Sequence, residues 1–195
     1  MDPRSSSLMI GPNTSHSLLS LAPPPTLRSP SPPSHLLVQV GKEIVNVLRD
    51  RGFPTNLASL RLFASPRSAG KPQAVPFGAP GCGPVEVVIE AFSVAAAREC
   101  DFVFLAVSGT FALEHAEAMA APGGAVVIDN SSAFRLHDAV PLIVPECNPG
   151  ALGDARLIAN PNCTTAIAAV ALWPLHQVFG LRKVCSVVCG IHAVL

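Results

Sequence analysis

The sequence predicts a doubly wound α/β domain of the Rossmann type with a mostly parallel sheet. From Leu36 onward, short runs rich in β-branched residues alternate with helical stretches, an alternation typical of βαβ units. Hydrophobic residues make up 49% of the 195 residues and charged residues only 13%, as a parallel sheet covered by helices on both faces requires. We therefore expect one sizeable core in a chain of this length.

The alternation assigns each element in order. Strands are predicted at Leu36–Val40, Leu60–Phe63, Val85–Ile89, Phe102–Val107, Ala125–Asp129, Leu157–Ala159 and Val184–Val188. Helices are predicted at Lys42–Arg51, Ala112–Ala121 and Thr164–Phe179 by composition and periodicity. Ligands of such folds bind outside the carboxyl ends of the strands, so the loops that follow the strands are where chemistry is expected.

The first 35 residues differ in composition from the rest of the chain. They are rich in Ser and Pro and contain Asp2 as their only acid, which predicts a disordered leader before the domain. An organelle transit peptide has this composition, which would place the protein in a plastid or another organelle. A plain disordered tail or a misassigned leader, with a cytoplasmic protein, is the alternative interpretation.

Composition also excludes several classes of function. The net charge is zero and no basic cluster is present, so nucleic acid is not expected as a partner. The six cysteines include no C-x-x-C pair, which indicates neither a metal site nor a disulfide framework. No apolar run approaches the roughly 20 residues that cross a bilayer, so no membrane segment is expected.

Cys163 is the candidate nucleophile. It lies where the strand ending at Ala159 gives way to a long helix, and the helix N-terminus favours a thiolate there. Asn162 can donate its amide to an oxyanion formed when the thiolate attacks a carbonyl group. The alternative interpretation is that Cys163 is a small buried hydrophobic residue.

Two further loops are candidate cofactor sites. Ser65, Arg67 and Ser68 follow the second strand, where a Rossmann fold meets the adenosine ribose and where an arginine accommodates the 2′-phosphate of NADP. Ser108 and Gly109 follow the strand that ends at Val107 and are expected near the phosphates or the nicotinamide ribose of the cofactor. Ordinary turn chemistry is the alternative in both loops.

Three motifs in order resemble the aspartate-semialdehyde dehydrogenase family. They are D-N-S-S-A-F-R at 129–135, V-P-E-C-N-P at 144–149 and I-A-N-P-N-C-T-T at 158–165. The resemblance runs from about Gly41 to Lys183, and the first and last motifs together are highly specific. It divides the chain into the leader at 1–35, an NAD(P)-binding domain at 36–160 and the start of a catalytic and dimerisation domain at 161–195.

The resemblance implies an NADPH-dependent reduction of β-aspartyl phosphate to aspartate semialdehyde and phosphate, through a thioester at Cys163. This step serves lysine, threonine and methionine biosynthesis, and the family is homodimeric. Arg135 would hold the substrate phosphate through bidentate hydrogen bonds, and Asn130 would lie at the same substrate site. The loop at Ser65–Lys71 resembles the family's NADP-selecting loop, so NADP is expected rather than NAD.

The sequence departs from the family at both ends. Of the glycine-rich phosphate loop only Gly41 is recognisable, and the proline-rich stretch upstream is not expected to supply another strand. The family's catalytic histidine and distal substrate arginine have no counterparts, so we expect little activity from this chain alone. The alternatives are a non-catalytic nucleotide-binding remnant and N-acetyl-γ-glutamyl-phosphate reductase, against which Asn162 and the N-S-S-A-F-R motif argue.

Overall fold

The computed structural model describes residues 5–10, 17–21, 39–51, 60–76 and 83–185, the first two ranges as backbone alone. Eight strands form one sheet in the order β4-β5-β3-β2-β1-β6-β7-β8. Neighbours from β6 to β8 are parallel, as are β3 and β5, whereas β2 and β4 run antiparallel to their neighbours. The strands are β1 (Ser5–Ile10), β2 (Ser17–Leu21), β3 (Leu60–Ala64), β4 (Pro72–Val75), β5 (Val85–Ala91), β6 (Cys100–Ala106), β7 (Val126–Asp129) and β8 (Leu157–Ala159).

Four α-helices accompany the sheet in the described residues. They are α1 (Gln39–Asp50), α2 (Val94–Arg98), α3 (Gly109–Ala120) and α4 (Cys163–Phe179), and a short 3₁₀ helix spans Pro149–Leu152. None of the helices that the structure describes is long and apolar enough to cross a bilayer.

The core occupies both faces of the sheet because successive strand residues point to opposite sides. Phe63 and Leu105 pack with the buried face of α3 in one cluster. Their neighbours Leu62 and Ala106 pack with Val45 of α1 in the other. The doubly wound α/β architecture expected from the sequence is thereby confirmed.

Helix α4 differs from the others because none of its residues is buried by the described residues. Its apolar side chains are largely exposed, with 74% of Ile167, 74% of Val178 and 73% of Phe179 accessible. Ala166, Ile167, Val170 and Ala171 face residues 143–146 across a pocket. The helix that begins at Cys163 therefore projects an uncovered apolar surface.

Five predicted strands and all three predicted helices are confirmed, with ends shifted by up to three residues. The predicted strand Leu36–Val40 is wrong at its end, since Gln39 and Val40 are the first residues of α1, and residues 36–38 lie outside the described residues. In the predicted strand Val184–Val188, Val184 and Cys185 are in no strand and the rest lies outside the described residues.

One strand and one α-helix after residue 60 were not predicted. Strand β4 begins with a proline and is held by antiparallel pairing with β5 at the edge of the sheet, where proline is tolerated. Helix α2 is only five residues long and is capped by Ser93, whose side chain accepts a hydrogen bond from the Ala96 N–H group. Both depend on neighbours rather than on local periodicity.

Residues 1–35 contain strands β1 and β2, where the composition predicts a disordered leader. The two strands coincide with the segment's apolar runs, Leu8 to Ile10 and Leu18 to Leu21, and β1 pairs in parallel with β6 through its whole length. The upstream stretch thus supplies a strand beside β6, contrary to expectation. The remainder of the proposed leader, residues 1–4, 11–16 and 22–35, lies outside the described residues.

Arg61 joins β3, β5 and α2. Its Nε and Nη2 atoms donate to the two carboxylate oxygens of Glu90 at 2.9 and 2.8 Å, and Nη1 donates to Glu99 at 3.1 Å. The guanidinium group also lies 4.7 Å from the ring centre of Phe63. The hydrogen bonds to Glu90 raise the pKa of Arg61 above its ordinary value, so the guanidinium group stays charged.

Replacement of this guanidinium tests how far the pairing stabilises the fold. We expect Arg61→Lys to lower the free energy of unfolding by about 1–2 kcal/mol, because an ammonium group cannot form two parallel bonds to one carboxylate. Urea unfolding measures the change. The control is Arg49→Lys, since Arg49 forms an exposed pair with Asp50 and should change stability by less than about 0.5 kcal/mol. Equal changes in the two variants would contradict the assignment.

Candidate active site

The carboxyl ends of three parallel strands meet at one edge of the sheet. Leu105 of β6 pairs with Asp129 of β7, which pairs with Ala159 of β8. The ladder continues one residue further, since the Asn130 N–H group donates to Leu105 and the Asn160 N–H group donates to Asp129, at 2.9 and 2.8 Å. The loops after β7 and β8 therefore start side by side.

The loop after β7 is held by the carboxylate of Asp129. One carboxylate oxygen accepts the Ser131 N–H group at 2.9 Å and the other accepts the Ser131 hydroxyl at 2.8 Å. The Ser131 hydroxyl in turn accepts the Ala133 N–H group at 3.1 Å. Asp129 is fully buried, and this burial raises its pKa, an effect that the Ser131 hydrogen bonds and Arg135 oppose.

Arg135 connects the two loops. Its Nε atom donates to the main-chain carbonyl of Asn160 and its Nη2 atom to that of Asn130, both at 2.9 Å. These two nitrogens form the side-on edge of the guanidinium group. Nη1, which forms the end-on edge together with Nη2, has no hydrogen bond within the described residues and remains available for an anion.

A side-chain bond parallels this backbone connection. The Asn160 amide nitrogen donates to the Asn130 amide oxygen at 2.6 Å. Asn160 had no assigned role in the sequence analysis, although it lies three residues before Cys163. The signal that could have identified it is its position at the first residue after β8, where functional loops of this fold begin.

Cys163 is the first residue of α4 and is exposed. The side-chain oxygen of Asn162 caps the helix by accepting the Thr164 N–H group at 3.0 Å, and the Cys163 sulfur lies 3.8 Å from the same oxygen. The cap fixes the orientation of the carboxamide, since only its oxygen can accept. Exposure of the thiol excludes the interpretation of Cys163 as a buried hydrophobic residue.

The predicted cofactor residues lie on three different elements. Ser65 and Ser68 form a turn directly after β3, with Arg67 exposed between them. Ser108 caps α3 by accepting the Phe111 N–H group at 3.3 Å, and Gly109 is the first helical residue.

The outcome for Gly41 differs from the prediction. The helix was expected to begin at Lys42 with Gly41 before it, but α1 begins at Gln39 and contains Gly41 as a buried first-turn residue. The first four N–H groups of a helix lack partners within the helix. Gly41 is thus within the first turn of the helix rather than in the turn before it.

Features at two of these positions fit a nicotinamide dinucleotide. The Ser65 hydroxyl is buried and has no hydrogen-bond partner in the described residues, and it lies at the end of β3, where this fold receives a ribose. A Cβ atom on Gly109 would meet its nearest neighbours only at 3.9 Å, so packing within the domain does not require glycine there. Both features leave room for an external ligand.

Two pockets adjoin the edge where Arg135 lies. One of about 620 Å³ lies between α1 and the sheet, with Asn130 and Asn160 in its wall. Another of about 510 Å³ lies between residues 143–146 and α4, and Asn160 belongs to its wall too. The candidate nucleophile, Arg135 and the two asparagines thus converge near Asn160, whereas the Ser65–Ser68 turn follows a strand that β1 and β2 separate from β6.

The described residues form an α/β domain with an exposed cysteine at a helix N-terminus, an arrangement found in enzymes that use a thiol. Residues 39–155 match the family described as the NAD-binding domain of semialdehyde dehydrogenase. The chain therefore belongs to the semialdehyde dehydrogenase family of oxidoreductases, and a nicotinamide cofactor is the one its domain binds.

Individual relatives agree with this assignment. An aspartate-semialdehyde dehydrogenase of Synechocystis is 42% identical over 146 residues, which cover 74% of this chain and 40% of that protein. The Prochlorococcus marinus enzyme of the same name is 35% identical over 167 residues, covering 82% of this chain and 46% of that protein. The chain thus spans less than half the length of these curated relatives, and their names do not favour the remnant or the acetylglutamyl-phosphate reductase.

Solved structures give the same fold. The crystal structure of aspartate semialdehyde dehydrogenase II of Vibrio cholerae, complexed with ASA, is 34% identical and superposes with a TM-score of 0.60 over 72% of this chain. That alignment covers 44% of the Vibrio chain.

The buried carboxylate predicts a defined pH dependence of stability. A carboxyl whose pKa is raised by folding contributes stability below its ordinary value of 3.8 and loses that contribution as the pH rises through the raised value. Asp129→Asn cannot titrate, so we expect its stability relative to the unsubstituted chain to increase between acidic and neutral pH. Urea unfolding across this range measures it, and a difference that stays constant with pH would contradict the assignment.

Proposed function

We propose that this chain is the cofactor-binding part, with the nucleophile, of an NADPH-dependent aspartate-semialdehyde dehydrogenase. The reaction converts β-aspartyl phosphate to aspartate semialdehyde and phosphate, a step of lysine, threonine and methionine biosynthesis. The observation that carries the proposal is the exposed Cys163 at the start of α4, beside a loop fastened by Arg135. The names of the relatives support the substrate.

Cys163 forms the covalent bond to the substrate. Its thiolate attacks the acyl carbon of β-aspartyl phosphate, the carbon–oxygen bond to phosphate breaks, and a thioester remains on the sulfur. Asn162 uses its carboxamide oxygen as the helix cap, so its amide nitrogen is the group that donates to the oxyanion of the addition step.

Arg135 binds the departing phosphate in this proposal, with Asn130 beside it as a second substrate-binding residue. Its side-on edge bonds two main-chain carbonyls, so the phosphate meets the end-on edge. The bidentate contact expected from the sequence then uses Nη1 and Nη2. A guanidinium group held by two bonds loses less freedom when it binds an anion.

The nicotinamide cofactor supplies a hydride for reduction of the acyl group. Ser65, Arg67 and Ser68 hold the adenosine ribose, Ser108 and Gly109 lie near the phosphates, and the first turn of α1 with Gly41 offers N–H donors. The exposed guanidinium of Arg67 favours a 2′-phosphate, hence NADP over NAD.

The relatives extend beyond the part that this chain matches. The remaining parts of the mechanism are assigned to that additional length. We propose that residues 36–160 form the cofactor domain, that residues 161–195 begin a catalytic and dimerisation domain, and that the complete protein is a homodimer. The exposed apolar side chains of α4 support this division, because such surfaces occur at interfaces.

Removal of the proposed nucleophile tests the covalent step. We expect β-aspartyl phosphate to leave an aspartyl thioester on Cys163 of this chain and none on Cys163→Ser, as measured by peptide mass spectrometry. The control is Cys185→Ser, because Cys185 is also exposed but lies beyond α4, and it should keep the adduct. Adducts on Cys185 in place of Cys163, or no adduct at all, would contradict the proposal.

Removal of the proposed 2′-phosphate ligand tests the cofactor. Arg67→Ala should raise the dissociation constant for NADPH about tenfold, the effect of one charged hydrogen bond, and leave that for NADH unchanged. Titration of cofactor fluorescence measures both constants. The control is Arg51→Ala, an exposed arginine that follows α1. Equal weakening of the two cofactors in Arg67→Ala would overturn the preference for NADP.

A further inference from the structure

The strongest feature that the proposed reaction does not use is the side-on edge of Arg135. An arginine reserved for a substrate phosphate would have its nitrogens free or bonded to solvent. Here Nε and Nη2 both donate to main-chain carbonyls within the domain, at 2.9 Å each. Main-chain carbonyls belong to the fold and are present whether or not substrate is bound.

The two carbonyls belong to the two loops that must meet for reaction. Asn130 begins the loop that leads to Arg135 itself, and Asn160 begins the turn that leads to Cys163. Two residues separate Asn160 from the cysteine, and one of them is a proline with a restricted backbone. Fixing the Asn160 carbonyl therefore restricts where α4 can start.

A second bond acts on the same two residues. The Asn160 carboxamide donates to that of Asn130 at 2.6 Å. The Arg135 bonds form one bridge between the ends of β7 and β8 and this bond a second, both beyond the strand ladder. Both act on Asn160, from which the turn to the first residues of α4 starts.

We propose that Arg135 is a positioning residue for Cys163, and that its side-on edge holds the Asn160–Cys163 turn in place independently of substrate. The inference rests on the proposed function for the role of Cys163, and it adds to Arg135 a second task. The end-on edge remains for the substrate phosphate. Nε serves only the first task and Nη1 only the second, while Nη2 takes part in both, so a test without phosphate measures the first task alone.

The test measures alkylation of Cys163 by iodoacetamide, an uncharged probe that requires neither substrate nor cofactor. Arg135→Lys keeps the positive charge but cannot donate two fixed, divergent bonds. If the two bonds of the side-on edge position Cys163, its alkylation slows about fivefold in Arg135→Lys and in Arg135→Ala alike. A fivefold change in rate corresponds to the free energy of about one net hydrogen bond. Normal reactivity in Arg135→Lys with slow alkylation in Arg135→Ala would show an effect of charge alone and overturn the proposal.

The chain offers a matched control. Arg98 also donates to main-chain carbonyls, those of Ala118 and Pro122 at 2.7 and 2.9 Å, but it lies at the far end of α3. Arg98→Lys therefore removes the same kind of arginine–carbonyl bonds at a different place in the domain. We expect normal alkylation of Cys163 in this variant, and slowing as large as in Arg135→Lys would overturn the proposal.

Two other cysteines monitor the same sample by peptide mass spectrometry. Cys185 is exposed and gives the reference rate, whereas Cys100 is buried and becomes reactive only when the domain opens. Should Cys100 react in Arg135→Ala, the comparison rests on Arg135→Lys, which keeps the charge and most of the length of the side chain. Slower alkylation of Cys163 relative to Cys185 supports the positioning role, and an unchanged ratio overturns it.

The alkylation result and the thioester result are independent. Slow alkylation in Arg135→Lys with no aspartyl adduct on Cys163 would leave the positioning role intact and refute the proposed reaction. Normal alkylation in Arg135→Lys with an adduct on Cys163 would refute the positioning role and leave the proposed reaction intact.

Discussion

The hydrogen bonds of Arg135 to two main-chain carbonyls are the interaction on which the rest of the candidate site depends. They join the ends of β7 and β8, and each strand end carries one half of the chemistry. The loop after β7 brings its own arginine, while the turn after β8 brings the cysteine. Neither loop has this geometry by itself, since the carbonyls that receive the guanidinium group are adjacent only because parallel strands end in register.

The carboxylate of Asp129 stabilises the loop that leads to Arg135. It organises the loop by accepting from Ser131, and burial of the charge costs free energy that the hydrogen bonds partly offset. The buried carboxylate is stabilised only while the loop keeps the conformation in which Ser131 donates to it. The same group therefore destabilises alternative conformations of the loop and holds the arginine where the neighbouring strand can receive it.

The fold was largely predictable because the spacing of apolar residues along the chain indicates which faces of the helices and strands are buried. The strands from β5 to β8 and helices α3 and α4 follow directly from apolar runs and glycine or asparagine boundaries. What the sequence could not reveal depends on partners distant in the chain. Strand β4 exists by pairing with β5, and strands β1 and β2 lie in a segment whose average composition is polar although each contains a short apolar run.

The candidate site was predictable in its residue types but not in their bonds. The position of Cys163 follows from the strand-to-helix pattern, and that of Asn162 from its place before the helix. Arg135 donates to two main-chain carbonyls because β7 and β8 end side by side. No local sequence pattern predicts that spacing between the strands. Asn160 was overlooked for the same reason, because its role comes from Asn130, 30 residues away.

The helix that begins at the candidate nucleophile has no residue buried by the described residues. Its 17 residues extend for about 25 Å, and the apolar side chains along it would each contribute about 1.5–3 kcal/mol when covered. A rod fixed at its base converts a small displacement of its tip into a rotation at the base. A surface that covers the distal turns of α4 would thereby also act on the direction of the Cys163 thiol, so we expect the reactivity of the thiol to depend on what covers the helix.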